Sequence, residues 1–233
     1  MRFILIARNS LLFLVIINLS FSARIGMFFG NFDPIHKVHS KIIEQGIRTL
    51  NLDKLFVIPY FETDKKDGEN YLVRTQLLRK AISEIPKMEL FGSRRIAEIG
   101  RRSSLLSKSV SFFEKMVMDD IRYSEGWDQE YFLLVGTDEF FRIIDDHNLP
   151  GYEDPLNIVV VKRQGYDQTI PRKLIPFLGS KLFLLDFSAP RISSSQLRQE
   201  LSQGDLSRVE YLHNSVLKSI RSRGFYGYPV TGQ

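Results

Sequence analysis

The chain has 233 residues, no cysteine and a net charge of +5, with 43% hydrophobic and 25% charged residues. That length and balance suit one soluble globular domain with at most a small appendage, and they exclude a disordered polymer, a collagen-like repeat, a disulfide scaffold and any zinc site built on thiolates. The positive surplus permits an anionic partner without requiring one, and since no RNA- or DNA-binding motif accompanies it, nucleic acid is not expected as a partner.

Residues 1–23 differ in pattern from the rest of the chain. Residues 11–17 are purely apolar, with Arg2 and Arg8 before them and Ser20, Phe21, Ser22 and Ala23 after. A membrane-spanning helix needs about 20 apolar residues, so this run is too short and no membrane association is expected. The basic start, short apolar stretch and small residues are signal-like, although Arg8 and Asn9 interrupt the pattern. A loosely docked extension or a non-native start is the other reading. Residues 1–23 are therefore set apart as a hydrophobic extension, and residues 24–233 are taken as the domain.

From Arg24 onward strand and helix patterns alternate. Residues 25–29 read as a buried strand ending at Gly30, and residues 40–50 carry Ile42, Ile43, Ile47 and Leu50 near helical spacing. Residues 54–58 are a second strand, stopped by Pro59. Residues 71–85 form a helix with Leu77, Leu78, Ala81 and Ile82 inward, and residues 88–91 a third strand. Residues 93–109, with Arg94, Arg95, Arg101, Arg102 and a serine-rich stretch, show no clear period; the arginines either cover a solvated helix face or receive a phosphate. Residues 110–121 read as a helix. Strands come next at 131–135, ending at Gly136, then at 156–161 and 181–185, and helices at 194–201 and 209–223 close the chain. The alternation predicts an α/β sheet with helices on its faces, in one domain.

The most informative stretch is residues 30–39, Gly-Asn-Phe-Asp-Pro-Ile-His-Lys-Val-His. A strand stops at a glycine, a short loop comes after it, and His36 and His39 lie three apart where a helix begins. Such a pair shares a helix face and can address one ligand. A helix N-terminus supplies free N–H groups and partial positive charge, which suits phosphate, and in a parallel sheet this turn lies at the carboxyl edge where ligands bind. A solvated helix start is the competing reading. A metal cage is not expected, because the only other histidines are His147 and His213 and there is no cysteine.

Gly30-x-Phe32-x-Pro34-x-His36-x-x-His39 resembles the signature of the nucleotidyltransferase superfamily with the HxGH motif. Within it, residues 32–36 are similar to the nicotinate-nucleotide adenylyltransferases of NAD synthesis. The signature departs at Val38 and at Phe29, where that family has glycine. Residues 192–198, Ile-Ser-Ser-Ser-Gln-Leu-Arg, resemble the family's second signature, with Ser195 in place of threonine. Physically this is a hydroxyl-rich helix start with Arg198 one turn in, which reads either as a phosphate site or as an ordinary serine cap. Gly136-Thr137-Asp138 resembles the segment that meets the adenosine ribose, and also reads as a helix N-cap at Asp138.

The resemblance covers about residues 25–226 and implies a Rossmann-like, doubly wound parallel sheet with helices on both faces. It implies adenylyl transfer from ATP to nicotinate mononucleotide, giving deamido-NAD and pyrophosphate, in the cytoplasm. His36, His39, Lys66 and Arg198 would carry the catalysis. ATP would also meet Gly30, Asn31, Phe32, Gly136, Asp138, Ile192, Ser193, Ser194 and Ser195, and Arg74, Ser109 and Arg163 would face the mononucleotide. Mg2+ would arrive bound to ATP, with no protein metal site, and a homo-oligomer is compatible with all of this. The aromatic landmarks that hold the pyridine ring in that family have no counterpart around residues 103–109, which keeps nicotinamide mononucleotide open as the substrate. Another superfamily member, or a non-catalytic nucleotide-binding module, are the remaining alternatives.

Overall fold

The computed structural model describes residues 4–8, 11–15, 22–61, 68–83, 85–105, 110–137, 140, 156–162, 182–187 and 192–230. Within the extension, β1 (Ile4–Arg8) and β2 (Leu11–Val15) pair antiparallel as a two-stranded sheet of their own. The remaining strands form one parallel sheet: β3 (Arg24–Gly30), β4 (Lys54–Pro59), β5 (Met88–Leu90), β6 (Glu130–Gly136), β7 (Leu156–Lys162) and β8 (Leu182–Asp186). The order across it is β5-β4-β3-β6-β7-β8. The chain starts in the middle, winds outward through β4 and β5, then returns to β6 on the other side of β3. This is the doubly wound, Rossmann-like arrangement, and its switch point falls between β3 and β6.

Strand residues alternate between two cores, as the twofold repeat of a strand buried on both sides requires. Phe28, Leu55, Val57, Phe132, Leu134, Val159 and Val161 face the core shared with α1 (Lys37–Thr49), α2 (Tyr71–Ile82), α5 (Ser194–Ser202) and α6 (Asn214–Arg223). Ile25, Met27, Phe29, Phe56, Ile58, Tyr131, Leu133, Val135 and Val160 face the other core, with α3 (Ser93–Leu105) and α4 (Val110–Glu125).

Two expectations change. Residues 93–105 are helical: Ile96, Ile99, Gly100 and Ser103 are buried at helical spacing, but only two of them are large and apolar, which hid the period. Arg94, Arg95, Arg101 and Arg102 are exposed on its outer face, and Arg95 pairs with Asp120 and Glu98, so the solvated-face reading holds. The expected helix over 209–223 is split into a 3₁₀ turn (Val209–Tyr211) and α6. Leu212 and His213 between them are extended: Leu212 is buried in the core, and the His213 ring hydrogen-bonds Ser40 of α1 at 2.8 Å.

Gly100 shows how α3 steers the site. A Cβ at this position would lie 2.3 Å from Cγ of Phe61, so the missing side chain is the seat of that ring, one residue beyond Tyr60. Alanine normally gains about 0.5–1 kcal/mol over glycine in a helix, whereas overpacking costs about 1–3 kcal/mol. Gly100→Ala is therefore expected to lower stability in urea unfolding, against its helix propensity.

Candidate active site

The first strand–helix turn is the centre of the site. After Gly30 the chain turns through Phe32, whose φ of 47° lies in the left-handed region unusual for a side-chain-bearing residue. The strain is offset by burial of the ring, which lies edge-on to Phe28 (5.6 Å) and to His39 (5.2 Å). Gly30 makes room for it: a Cβ there would stand 3.0 Å from the Phe32 ring. His36 is the N-cap of α1, and its ring stacks on that of His39 with centroids 3.7 Å apart and planes 21° apart. The His36 backbone N–H donates to Nδ1 of His39 at 3.3 Å. That bond makes Nδ1 the acceptor, so in the neutral ring the proton sits on Nε2, a donor for a ligand oxygen.

A cavity of about 290 Å³ opens here, lined by the ends of β3 and β6, both histidines, Asn31 and Phe32, and Ile192–Ser195 at the start of α5. Ser193 caps α5, accepting from the Gln196 N–H at 3.2 Å, and Ser194 donates to the Pro34 carbonyl at 3.3 Å, tying α5 to the loop. Neither α1 nor α5 has an acidic residue in its first turn. Two helix N-termini with their positive ends uncompensated thus meet at one cavity, a setting for a polyanion. The other end of the cavity lies across the sheet edge, on the α4 side, and has different chemistry. There the wall is Tyr60 and Glu114, and the Tyr60 hydroxyl donates to the Glu114 carboxylate.

The comparisons with known proteins agree with this geometry. A family model described as cytidylyltransferase-like matches residues 27–200, well over half of the chain. The chain belongs to that family. Curated relatives of this cytidylyltransferase-like chain include a probable nicotinate-nucleotide adenylyltransferase of Roseiflexus sp. (strain RS-1), 29% identical over 88% of this chain and 98% of the relative. Another of the same name, from Endomicrobium trichonymphae, is 24% identical over 87% and 98%. Among solved structures, Plasmodium falciparum nicotinic acid mononucleotide adenylyltransferase complexed with NaAD has a TM-score of 0.63 at 16% identity, covering 89% of this chain and 99% of that one. It shares the fold.

Of the residues expected at the site, Gly30, Asn31, Phe32, His36, His39, Gly136, Ile192, Ser193, Ser194 and Ser195 all line the cavity. Lys66, Ser109, Asp138 and Arg163 lie outside the described residues. Val38 is buried in the α1-side core and does not line the cavity, so the bulk it adds over glycine goes into packing.

Two arginines are placed differently from expectation. Arg74 is 1% exposed, and its guanidinium donates to the carbonyls of Asn31 (2.7 Å), Tyr60 (2.7 Å), Phe61 (3.2 Å) and Glu69 (3.1 Å). It stitches the loops after β3 and β4 together. Arg198 lies behind the cavity wall, 3% exposed, donating to the Asp33 carbonyl at 2.8 Å and to Ser195 Oγ at 3.3 Å, with the Asp33 carboxylate at 3.7 Å. Here it holds the start of α5 and the loop after β3 in register. Asp33, fully buried, also receives the Glu69 N–H at 3.1 Å. Burial pulls the Arg74 pKa down, partly opposed by Asp33, and burial pushes the Tyr226 hydroxyl up, with the Asp33 charge adding to it.

Sequence reasoning missed Tyr60 and Glu114. A signal existed for the second: Glu114 shares a helical stripe with Val117, Met118 and Ile121, all buried, and an acid on an apolar stripe asks for a partner. Arg74→Lys, which keeps the charge but cannot reach four carbonyls, is expected to lower unfolding stability by about 2–4 kcal/mol. In urea titrations this loss should exceed any change in mononucleotide KM of the folded enzyme; the opposite pattern would return Arg74 to the substrate.

Proposed function

We propose that this chain transfers AMP from ATP to nicotinate mononucleotide, releasing pyrophosphate and forming deamido-NAD. The observation that carries the proposal is the stacked His36–His39 pair, set between two acid-free helix N-termini at the switch point of the sheet. The names of the relatives support the same reaction. In it, a phosphate oxygen of the mononucleotide forms a bond to the α-phosphorus of ATP. The bond from that phosphorus to the β-bridging oxygen breaks, and its electron pair leaves with pyrophosphate.

The nucleophile is already an anion, so the protein has no general base to supply. Its work is alignment and neutralisation of charge on the transferring group. His36 and His39 donate to phosphate oxygens, and these bonds strengthen as charge moves onto the leaving pyrophosphate. The serine-rich start of α5 and its free N–H groups meet the triphosphate, Lys66 joins them, and Arg198 keeps that helix start against the loop. Gly136 and Asp138 meet the adenosine.

ATP enters as its Mg2+ complex. Among the described residues no group of three or more His, Cys, Asp or Glu stands together to hold a metal ion, and the Asp33 carboxylate accepts the Glu69 N–H and pairs with Arg198. The cation would be carried mainly on substrate oxygens. The described residues contain no helix long and apolar enough to cross a membrane. The need for ATP puts the enzyme in the cytoplasm, with residues 24–233 as its catalytic unit.

Removing one donor to a developing charge typically costs about 100–1,000-fold in turnover. His39→Ala is expected to slow pyrophosphate release from Mg-ATP and nicotinate mononucleotide by at least that much while unfolding normally, and CTP should not replace ATP. Near-normal turnover in the variant would remove His39 from the mechanism. Silence of the unaltered protein with both nicotinate and nicotinamide mononucleotide would remove the proposal.

A further inference from the structure

Arg74 donates to the carbonyl of Phe61 at 3.2 Å and, through Nε, to the carbonyl of Glu69 at 3.1 Å, so both ends of the segment 62–68 are bound to one planar group. Lys65 and Lys66 lie in that segment. Glu69 is tied twice more. Its backbone N–H donates to Oδ1 of Asp33 at 3.1 Å, and its carboxylate accepts the backbone N–H of Tyr226 at 2.7 Å, from 157 residues away. The first of these bonds leads to the histidine turn, since Asp33 lies just before Pro34 and His36. The second comes from the turn after α6, where Gly224, Tyr226 and Gly227 all have left-handed backbone, with φ of 66°, 58° and 68°. Glycine adopts that conformation freely, whereas Tyr226 does so with its side chain buried. Its hydroxyl and Oδ2 of Asp33 are buried atoms without a hydrogen bond of ordinary geometry, each in the other's field. An unusual backbone held in place by burial on both sides of a site points to a role in that site.

We infer that Glu69 is a positioning residue for Lys66: held by Asp33, Arg74 and the Tyr226 turn, it fixes one end of the lysine-bearing segment against the turn that carries His36 and His39. This rests on the proposed reaction, in which Lys66 meets the triphosphate, and deepens it. Residues 224–227, at the far end of the chain, thereby serve adenylyl transfer without touching substrate. Charge by itself predicts the opposite sign: a carboxylate near a triphosphate site opposes the anion, so its removal would favour ATP. A loss on removing Glu69 therefore reports position.

The test is a double-mutant cycle between Glu69→Ala and Lys66→Ala in the full-length protein, read as kcat/KM for Mg-ATP in pyrophosphate release. Glu69→Ala alone is expected to lower that value about tenfold or more, as a displacement of about 1 Å can, and to leave KM for the mononucleotide within about twofold. In the Lys66→Ala background the same change should cost less than about twofold. Glu69→Gln, which keeps an acceptor oxygen for the Tyr226 N–H, should recover most of the loss. If Glu69→Ala does not fold, Glu69→Asp, one methylene short of that N–H, takes its place in the cycle. Equal losses in both backgrounds, no loss in either, or no recovery with glutamine would make Glu69 purely structural, and the inference falls while the reaction stands. Silence of the unaltered protein with both mononucleotides removes the reaction. The cycle is then read as Mg-ATP affinity by calorimetry, with the same pattern expected; equal losses there, or no ATP binding at all, overturn the inference.

Discussion

A buried carboxylate holds the working edge of this protein together. Asp33 sits in the loop after the first sheet strand with no exposed surface, and it is buried beside two arginines that are themselves almost fully enclosed, Arg198 from α5 and Arg74 from α2. An unpaired charge in such a place is strongly disfavoured, by several kcal/mol even after relaxation. The carboxylate and the two guanidiniums therefore tolerate burial only in one another's company, and wherever the loop goes, both helices must come with it. Arg198 reaches the loop from 165 residues away in sequence. Arg74 extends the clamp by gathering four backbone carbonyls from the turns on either side. Two basic side chains at this edge are thus spent on building its framework. Among the described residues, those facing the cavity on the α1–α5 side are uncharged hydrogen-bonding groups and histidines at two helix starts.

The topology then determines what those groups face. Because β3 is central and the winding reverses beside it, the carboxyl edge between β3 and β6 lines a cavity. The cavity crosses that edge and draws its walls from both layers of helices. The α1–α5 layer contributes helix beginnings, and the α4 layer contributes Glu114, part of a helix interior. The left-handed backbone at Phe32, worth about 1–3 kcal/mol of strain at such positions, brings the chain close enough for both histidines to reach the opening.

How far these features could be read in advance depends on which forces are local. The strands announced themselves as runs of β-branched and aromatic residues, and β3, β4, β6 and β7 fall within a residue or two of expectation. The turn at Gly30, the histidine pair and the serine-rich start of α5 were visible because each is a contiguous pattern. The period of α3 was hidden because Gly100 and Ser103 take two of its buried positions, and the break at Leu212–His213 could not be seen, since it is imposed by a buried leucine and by a bond to Ser40 on another helix. Arg74 and Arg198 were expected at the ligands from the family resemblance, and their packing inside the framework could not be read from it. Their carbonyl and carboxylate partners come from segments distant in the chain.

Local pattern alone thus carried the α/β class and the strand–turn–helix at residues 30–39, since hydrophobic periodicity and helix N-termini act over a few residues, while the choice between a phosphate site and a solvated helix start rested on the family resemblance. Which charged side chains face the ligand and which hold the framework was decided only by the packed structure. Desolvation depends on everything that surrounds a group, and those surroundings are assembled from the whole length of the chain. For the same reason Val38 proved to be packing, and Glu114, inconspicuous on its helix, proved to be part of the cavity wall.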